Sequence, residues 1–184
     1  VSTSMVLRAE GTDSIMMVQP ASLFVAAIQS GVDVNNIRTS YQARWKLADP
    51  FPVVEVKDFQ CEMFGGTITS PGLVVDLASP SSATTFSLRD LDLAKILSVE
   101  QPRGLQGIGT LNGAFPVTIA SRGIMVDGGV IEAQPPGGVI RHLSGVESSN
   151  ALSDSDQHLQ LVAQALNNFH YKILRVGVKY GETG

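Results

Sequence analysis

The stretch Gly104–His142, GLQGIGTLNGAFPVTIASRGIMVDGGVIEAQPPGGVIRH, constrains this chain most. It reads as four or five short strands broken by glycine. Leu111, Phe115, Val117 and Ile119 share one parity, and Asn112 and Thr118 take the other. That alternation is the mark of a strand with one apolar face. Ser121-Arg122-Gly123 is a turn candidate, after which Ile124 and Val126 resume the pattern. Asp127-Gly128 predicts a two-residue hairpin turn, because a type I′ turn needs positive φ at both central residues. Val130–Ala133 would return from it, Pro135-Pro136-Gly137-Gly138 would close that strand, and Val139–His142 would begin the next.

The rest of the chain keeps this rhythm. Val1–Glu10 and Ser14–Gln19 predict two strands around Gly11-Thr12-Asp13. Ala21–Ile28 suits a strand or a buried helical turn; the strand is preferred because strands flank it. Ile37–Leu47 alternates most cleanly. Ile37, Thr39, Tyr41, Ala43, Trp45 and Leu47 take one face, and Arg38, Ser40, Gln42, Arg44 and Lys46 the other. Val53–Val56, Phe59–Phe64, Thr67–Thr69 and Leu73–Leu77 follow as separate short strands, with Pro71-Gly72 as a turn. Ser79–Thr85 reads as a Ser/Thr/Ala loop, before a short strand at Phe86 and Leu88. Leu91, Leu93, Ala94 and Leu97 fit a helical turn with Asp90 or Asp92 at its start. A longer helix is expected over Ser153–Asn168. Ser153 and Asp156 resemble an N-cap pair, and Leu159, Val162, Ala163 and Leu166 form a stripe at helical spacing. Leu174, Val176, Val178 and Tyr180 alternate again as a strand.

The expected fold is therefore mainly β with minor α, a long antiparallel meander carrying one C-terminal helix. One helix cannot cover so much sheet, so apolar surface is left over. That surface is either a packed sandwich core or a binding groove.

The 184 residues suffice for one domain or for a slice of a longer protein. A strand at Val176–Tyr180 that runs into a turn without a return strand favours the slice. A net charge of −4, with Lys and Arg scattered, leaves no electrostatic footprint for nucleic acid. Cys61 is the single cysteine, so no internal disulfide forms; its parity matches its apolar neighbours, and it reads as a small buried hydrophobe.

No constellation of residues points to catalysis. Gly104, Gly107, Gly109 and Gly113 lack dinucleotide-fold spacing and precede a strand, so they read as turns, bulges or close strand approach. Asp154-Ser-Asp156-Gln-His158 lacks the glycine and glutamate of a calcium loop. His142 and His170 lie beside strands with no nucleophile nearby in sequence. Asp90 and Asp92 are simplest as one helix cap and one solvated side chain. No metal or cofactor site is expected.

Leu105-Gln-Gly107-Ile-Gly109-Thr-Leu111-Asn-Gly113-Ala-Phe115-Pro116-Val117 resembles the L-x-G-x-G-x-L-x-G-x-x-P-V signature of YdbH-like proteins of Gram-negative bacteria, within the wider AsmA-like/TamB group. The likeness continues through Ile124–Val130, Pro136–Arg141, Ala165–Tyr171 and Val176–Tyr180, with His142 where an aromatic is common. It is strongest over the second half of the chain. The resemblance implies an inner-membrane-anchored protein that crosses the periplasm as a taco-shaped β-sheet. Its apolar groove would carry phospholipid, with a small outer-membrane lipoprotein as partner. It implies no catalytic residues, and the chain is expected not to be an enzyme. The family also bears a "dicarboxylate transport" label, but the arginines here are too dispersed to bind two carboxylates.

Residues 1–184 are thus expected to form a single β-rich unit cut from a longer periplasmic protein, conducting lipid along Tyr41, Trp45, Leu47, Phe115, Val117, Ile119, Ile124 and Val126. On that reading Val117→Asp weakens lipid capture and Thr118→Asp does not. The competing expectation is a closed β module, structural or protein-binding, that pairs through exposed strand edges. A dimer of the isolated chain through those edges fits either reading.

Overall fold

The computed structural model describes residues 6–29, 31–99, 105–142 and 169–181. The helix expected at Ser153–Asn168 and the Asp154–His158 loop lie outside the described residues. In chain order the elements are β1 (Leu7–Glu10), β2 (Ser14–Met17), β3 (Ala21–Gln29), β4 (Asp33–Lys46), β5 (Val53–Met63), β6 (Gly66–Asp76), β7 (Ser81–Asp92), α1 (Leu93–Ser98), β8 (Leu105–Ile108), β9 (Thr110–Ala120), β10 (Gly123–Ala133), β11 (Gly138–His142), β12 (Phe169–Tyr171) and β13 (Arg175–Tyr180).

Ten strands form one antiparallel sheet in the order β1-β2-β4-β5-β6-β7-β9-β10-β13, with β3 paired to β4 beside β2. The order follows the chain almost throughout, as expected where short turns join neighbours. Among the described residues the two ends of this sheet do not pair, so it is open rather than a barrel. Three strands make a second sheet, β12-β11-β8. Each continues directly into a strand of the large sheet: β8 into β9 through Gly109, β10 into β11, and β12 into β13. The order β8-β11-β12 matches β9-β10-β13, so the small sheet continues the large sheet's last three strands beyond a break in the ladder. Tyr171 of the small sheet shares one apolar cluster with Leu88, Leu91 and Leu111 of the large sheet and Leu93 of α1, and Ile140 packs against that cluster.

Several expected breaks turn out to be kinks within longer strands. Asp127-Gly128 is not a hairpin turn. The chain reverses at Ser121-Arg122 instead, and β10 runs through Asp127-Gly128 with a register shift against both β9 and β13. Gly128 alone carries a left-handed φ of 76°. A single left-handed glycine serves a bulge, whereas a type I′ turn needs two such residues. Pro71-Gly72 likewise stays inside β6. The chain does not reverse there, because Gly72 pairs with Lys57 and a Cβ on it would collide with the Val56 carbonyl. Val53–Val56 and Phe59–Phe64 merge into β5. The Ser79–Thr85 loop is instead the first half of β7, paired from Ser81 to Thr85 with Ala120 to Pro116. Pairing with β9 satisfies this backbone and overrides the loop-like composition.

The short helix stands as expected. Asp92 caps it, its carboxylate accepting from the Ala94 amide at 2.8 Å. Asp90 is exposed, at a positive-φ position, and donates its amide to the Asn112 side chain at 2.7 Å.

Candidate functional site: one apolar sheet face

Residues directly opposite one another on paired strands point to the same face. Following the register across the sheet therefore assigns every side chain to a face. Cys61, Ile68, Leu88, Gly113, Ile131 and Val176 form one such row across six strands. Thr84, Val117, Val126 and Tyr180 form another. Ser82, Ile119 and Ile124 form a third. Towards the N-terminal strands, Tyr41, Val56 and Leu73 lie in a row, beside Ala43, Val54 and Val75. Ser70 lies opposite Phe59, and the Phe59 and Phe86 rings meet edge to face at 5.6 Å, which leaves Ser70 buried.

The opposite face is mixed, with Phe24, Val74 and Met125 exposed among its polar and charged side chains. It carries the ion pairs Arg44–Glu10 at 3.3 Å, Lys57–Glu55 at 2.9 Å, Arg175–Glu132 at 3.0 Å and Lys179–Asp127 at 3.7 Å. All are solvent-exposed, so they add little stability.

A strict two-residue period could not keep one face apolar along strands this long, because the apolar residues change parity. Phe59 and Cys61 are odd, while Val54 and Val56 are even. Ile124 and Val126 are even, while Ile131 and Ala133 are odd. Four of these changes coincide with a register shift and a positive-φ residue, Asn36 in β4, Asp58 in β5, Asp90 in β7 and Gly128 in β10, and the change in β6, between Ile68 and Leu73, falls near Gly72 with φ 135°, where the pairing with β5 keeps its register. A bulge inserts one residue and swaps the faces of all that follow. Asn, Asp and Gly tolerate the left-handed conformation best. So the parity change in the sequence and the bulge in the backbone cancel, and the face stays apolar. The sequence reading missed these bulges; the signal was an Asn, Asp or Gly at each change of parity.

Seven of the eight expected groove residues, Tyr41, Trp45, Phe115, Val117, Ile119, Ile124 and Val126, lie on this one face. Leu47 does not belong to the row. β4 ends at Lys46, and Leu47 sits in the following turn, 63% exposed, its amide donating to the Asp13 carbonyl. Tyr41 and Trp45 pack around Met17, Ala21 and Ala43, so they are part of a packed patch. Val117 is only 9% accessible, flanked in register by Thr84 and Val126. Ile124, at 55%, and Tyr180, at 68%, are the open members. Leu23 and Ile28 on β3 and Val176 on β13 are also exposed.

Cys61 is buried on this face, and desolvation pushes its thiol pKa up, so it is a neutral, unreactive packing residue at neutral pH. His170 lies on β12 opposite Val139. Among the described residues no group of His, Cys, Asp or Glu is arranged to hold a metal. No helix among them is long and apolar enough to cross a membrane. The glycines of the signature mark close approaches. A Cβ on Gly107 would press on Leu93 and Leu97 of α1 at 2.9 and 2.8 Å, and one on Gly113 would crowd the Val130 carbonyl at 2.5 Å. On the mixed face, Arg89 and Arg175 line one concavity of about 480 Å³, brought together from distant strands. Arg175 is already engaged by Glu132 there.

Among the described residues this face is mainly apolar, interrupted by Ser70, Ser82 and Thr84. No curated protein and no solved structure matches the chain. The YdbH-like family model, described as intermembrane phospholipid transport protein YdbH, matches residues 5–184. That is a lipid transport family and not an enzyme family. Since the match runs through the N-terminal strands as well as the glycine-rich half, the chain belongs to the YdbH-like family of intermembrane phospholipid transport proteins.

Proposed function

We propose that residues 1–184 act as one β-rich segment of a periplasmic bridge protein, and that phospholipid moves along the apolar sheet face between the inner and outer membranes. The full-length protein would be anchored in the inner membrane. The observation that carries this reading is the continuity of the face. Apolar rows persist from β4 to β13 through changes of parity that fall at or beside Asn36, Asp58, Gly72, Asp90 and Gly128. A sheet that only needed a local core would not require every strand to keep the same side greasy. The energetics suit a carrier. Removing an acyl chain from water is worth about 0.8 kcal/mol per CH₂, on the order of 10 kcal/mol per chain, with no polar contact needed. Rows of similar residues also avoid one deep well that would trap the cargo.

A photoreactive residue at Ile124 or at Met125 tests this, with vesicles of acyl-labelled phosphatidylethanolamine as the probe. The two positions are adjacent and both exposed, yet face opposite sides. Labelling at Ile124 and not at Met125 is expected; equal labelling would reject the face as the lipid path. These positions probe better than Val117 and Thr118, because an aspartate at the nearly buried Val117 would also unfold the sheet.

The second reading, a module that joins partners through strand edges, draws on one observation. Among the described residues β3 pairs only with β4, and its nine residues, ASLFVAAIQ, carry no charge. Such an edge accepts a further strand. A small outer-membrane lipoprotein, or a second copy of this chain, are the partners proposed for open edges, and this is compatible with lipid conduction on the face.

A further inference from the structure

Gly109 and Gly138, one from each of the stretches Leu105–Val117 and Pro135–Gly138, have a shared neighbour that the lipid path does not explain. It is Tyr171, 5% exposed, on the short strand β12. A Cβ on Gly109 would collide with the Tyr171 hydroxyl. One on Gly138 would collide with the Ile108 carbonyl and the same hydroxyl, and would stand 2.7 Å from Cζ. One on Gly137 would collide with the Tyr171 carbonyl. The phenol end of the ring is therefore seated against two glycines drawn from two separate stretches, Gly109 and Gly138, while Gly137 lies against the Tyr171 backbone. Its hydroxyl donates to the Ile108 carbonyl at 3.1 Å, on the strand at the far side of the small sheet. In this way one side chain ties β12 to β8 across β11.

The place of this contact matters. Tyr171 packs with Leu88, Leu91, Leu93 and Leu111, at the end of the apolar face where the small sheet begins. Leu111 there is 4% exposed, while Ile124 at the other end of β9 and β10 is 55% exposed. The face thus has a covered end and an open end along these strands.

We propose that the small sheet is an end cap on the apolar face, and that Tyr171, held in its glycine socket, is the latch that keeps the cap closed. The cargo side of this inference rests on the proposed lipid path; the latch does not. An acyl chain lying on β9, β10 and β13 stops at the cap. It enters and leaves by the Ile119, Ile124 and Tyr180 end. Tyr171 is a positioning residue that sets where the path ends.

Two measurements on the whole chain separate latch from path. Hydrogen exchange compares amides of β8 and β11 with those of β5 and β6. Photo-crosslinking to acyl-labelled phosphatidylethanolamine vesicles compares Ile131, under the cap, with Ile124. In the unaltered protein Ile124 is expected to label and Ile131 not. In Tyr171→Ala the β8 and β11 amides exchange at least about tenfold faster, β5 and β6 stay unchanged, and Ile131 becomes labelled. Tyr171→Phe keeps the ring and removes only the bond to Ile108, so roughly three- to tenfold faster exchange in β8 and β11 is expected. It also stands in if the alanine variant fails to fold. Unchanged exchange in both variants would overturn the latch. Labelling at Ile131 equal to that at Ile124 in the unaltered protein would overturn the cap as a stop. Labelling at neither position would reject the lipid path, while the exchange results would still decide the latch.

Discussion

Leu111 and Ile124 sit on the same face of neighbouring strands and have opposite environments. Leu111 is buried in a cluster with Leu93 of α1 and Tyr171 of the small sheet, and Ile124 faces solvent. Their difference teaches that alternation decides which side of a sheet a residue takes, and says nothing of what lies above it. The cover comes from elements far along the chain, including Tyr171 and Ile140. At the covered end the face behaves as a core. At the open end it is exposed apolar surface of the kind that marks a binding site.

The comparison can be tested from its strongest term downwards. Leu111→Ala should cost about 2–5 kcal/mol, through lost burial and a cavity, while Ile124→Ala should stay within about 0.5 kcal/mol. Urea unfolding of the two variants reads this directly; equal losses would mean that both ends are packed alike. A smaller effect concerns pH at the covered end. Burial pushes the Tyr171 phenol above its ordinary range. A group whose folded pKa is raised contributes stability that is complete below about pH 10 and is lost as pH climbs through the folded value. The unaltered protein should therefore lose more stability between pH 9 and pH 11 than Tyr171→Phe does. Parallel pH profiles would show that the phenol is not confined. The smallest effect belongs to the mixed face near the open end. Lys179→Ala removes an exposed pair with Asp127 and should change unfolding by no more than about 0.5 kcal/mol. A loss above about 1 kcal/mol would mean that β13 is held at the edge by charge and not by its apolar row.

Much of the architecture could be read from residue order. The β1–β2 hairpin, the β3 strand, the long β4, the Asp92-capped helix, the Ser121-Arg122 turn and the buried Cys61 are all where local chemistry placed them. The errors share one cause. At Asp127-Gly128 and Pro71-Gly72 the local signal reported an unusual backbone angle, which a turn and a bulge both require. Only the neighbouring strands decide between them, because a bulge exists by virtue of a partner that continues past it. The Ser79–Thr85 segment departs from the loop its composition predicts for a related reason: from Ser81 its backbone finds its partners on β9, whose position the local composition does not encode.

The sequence by itself determined that this chain makes a largely antiparallel sheet with one apolar side, since side-chain period and turn chemistry are local properties. It also carried the family likeness, in glycines whose spacing is visible without coordinates. The tertiary structure alone decided which apolar residues are covered and which are left open, because burial is set by contacts between residues distant in the chain. The same holds for the purpose of those glycines. Gly109 and Gly138 are small because Tyr171 arrives from a strand far downstream and needs the volume that their missing side chains leave.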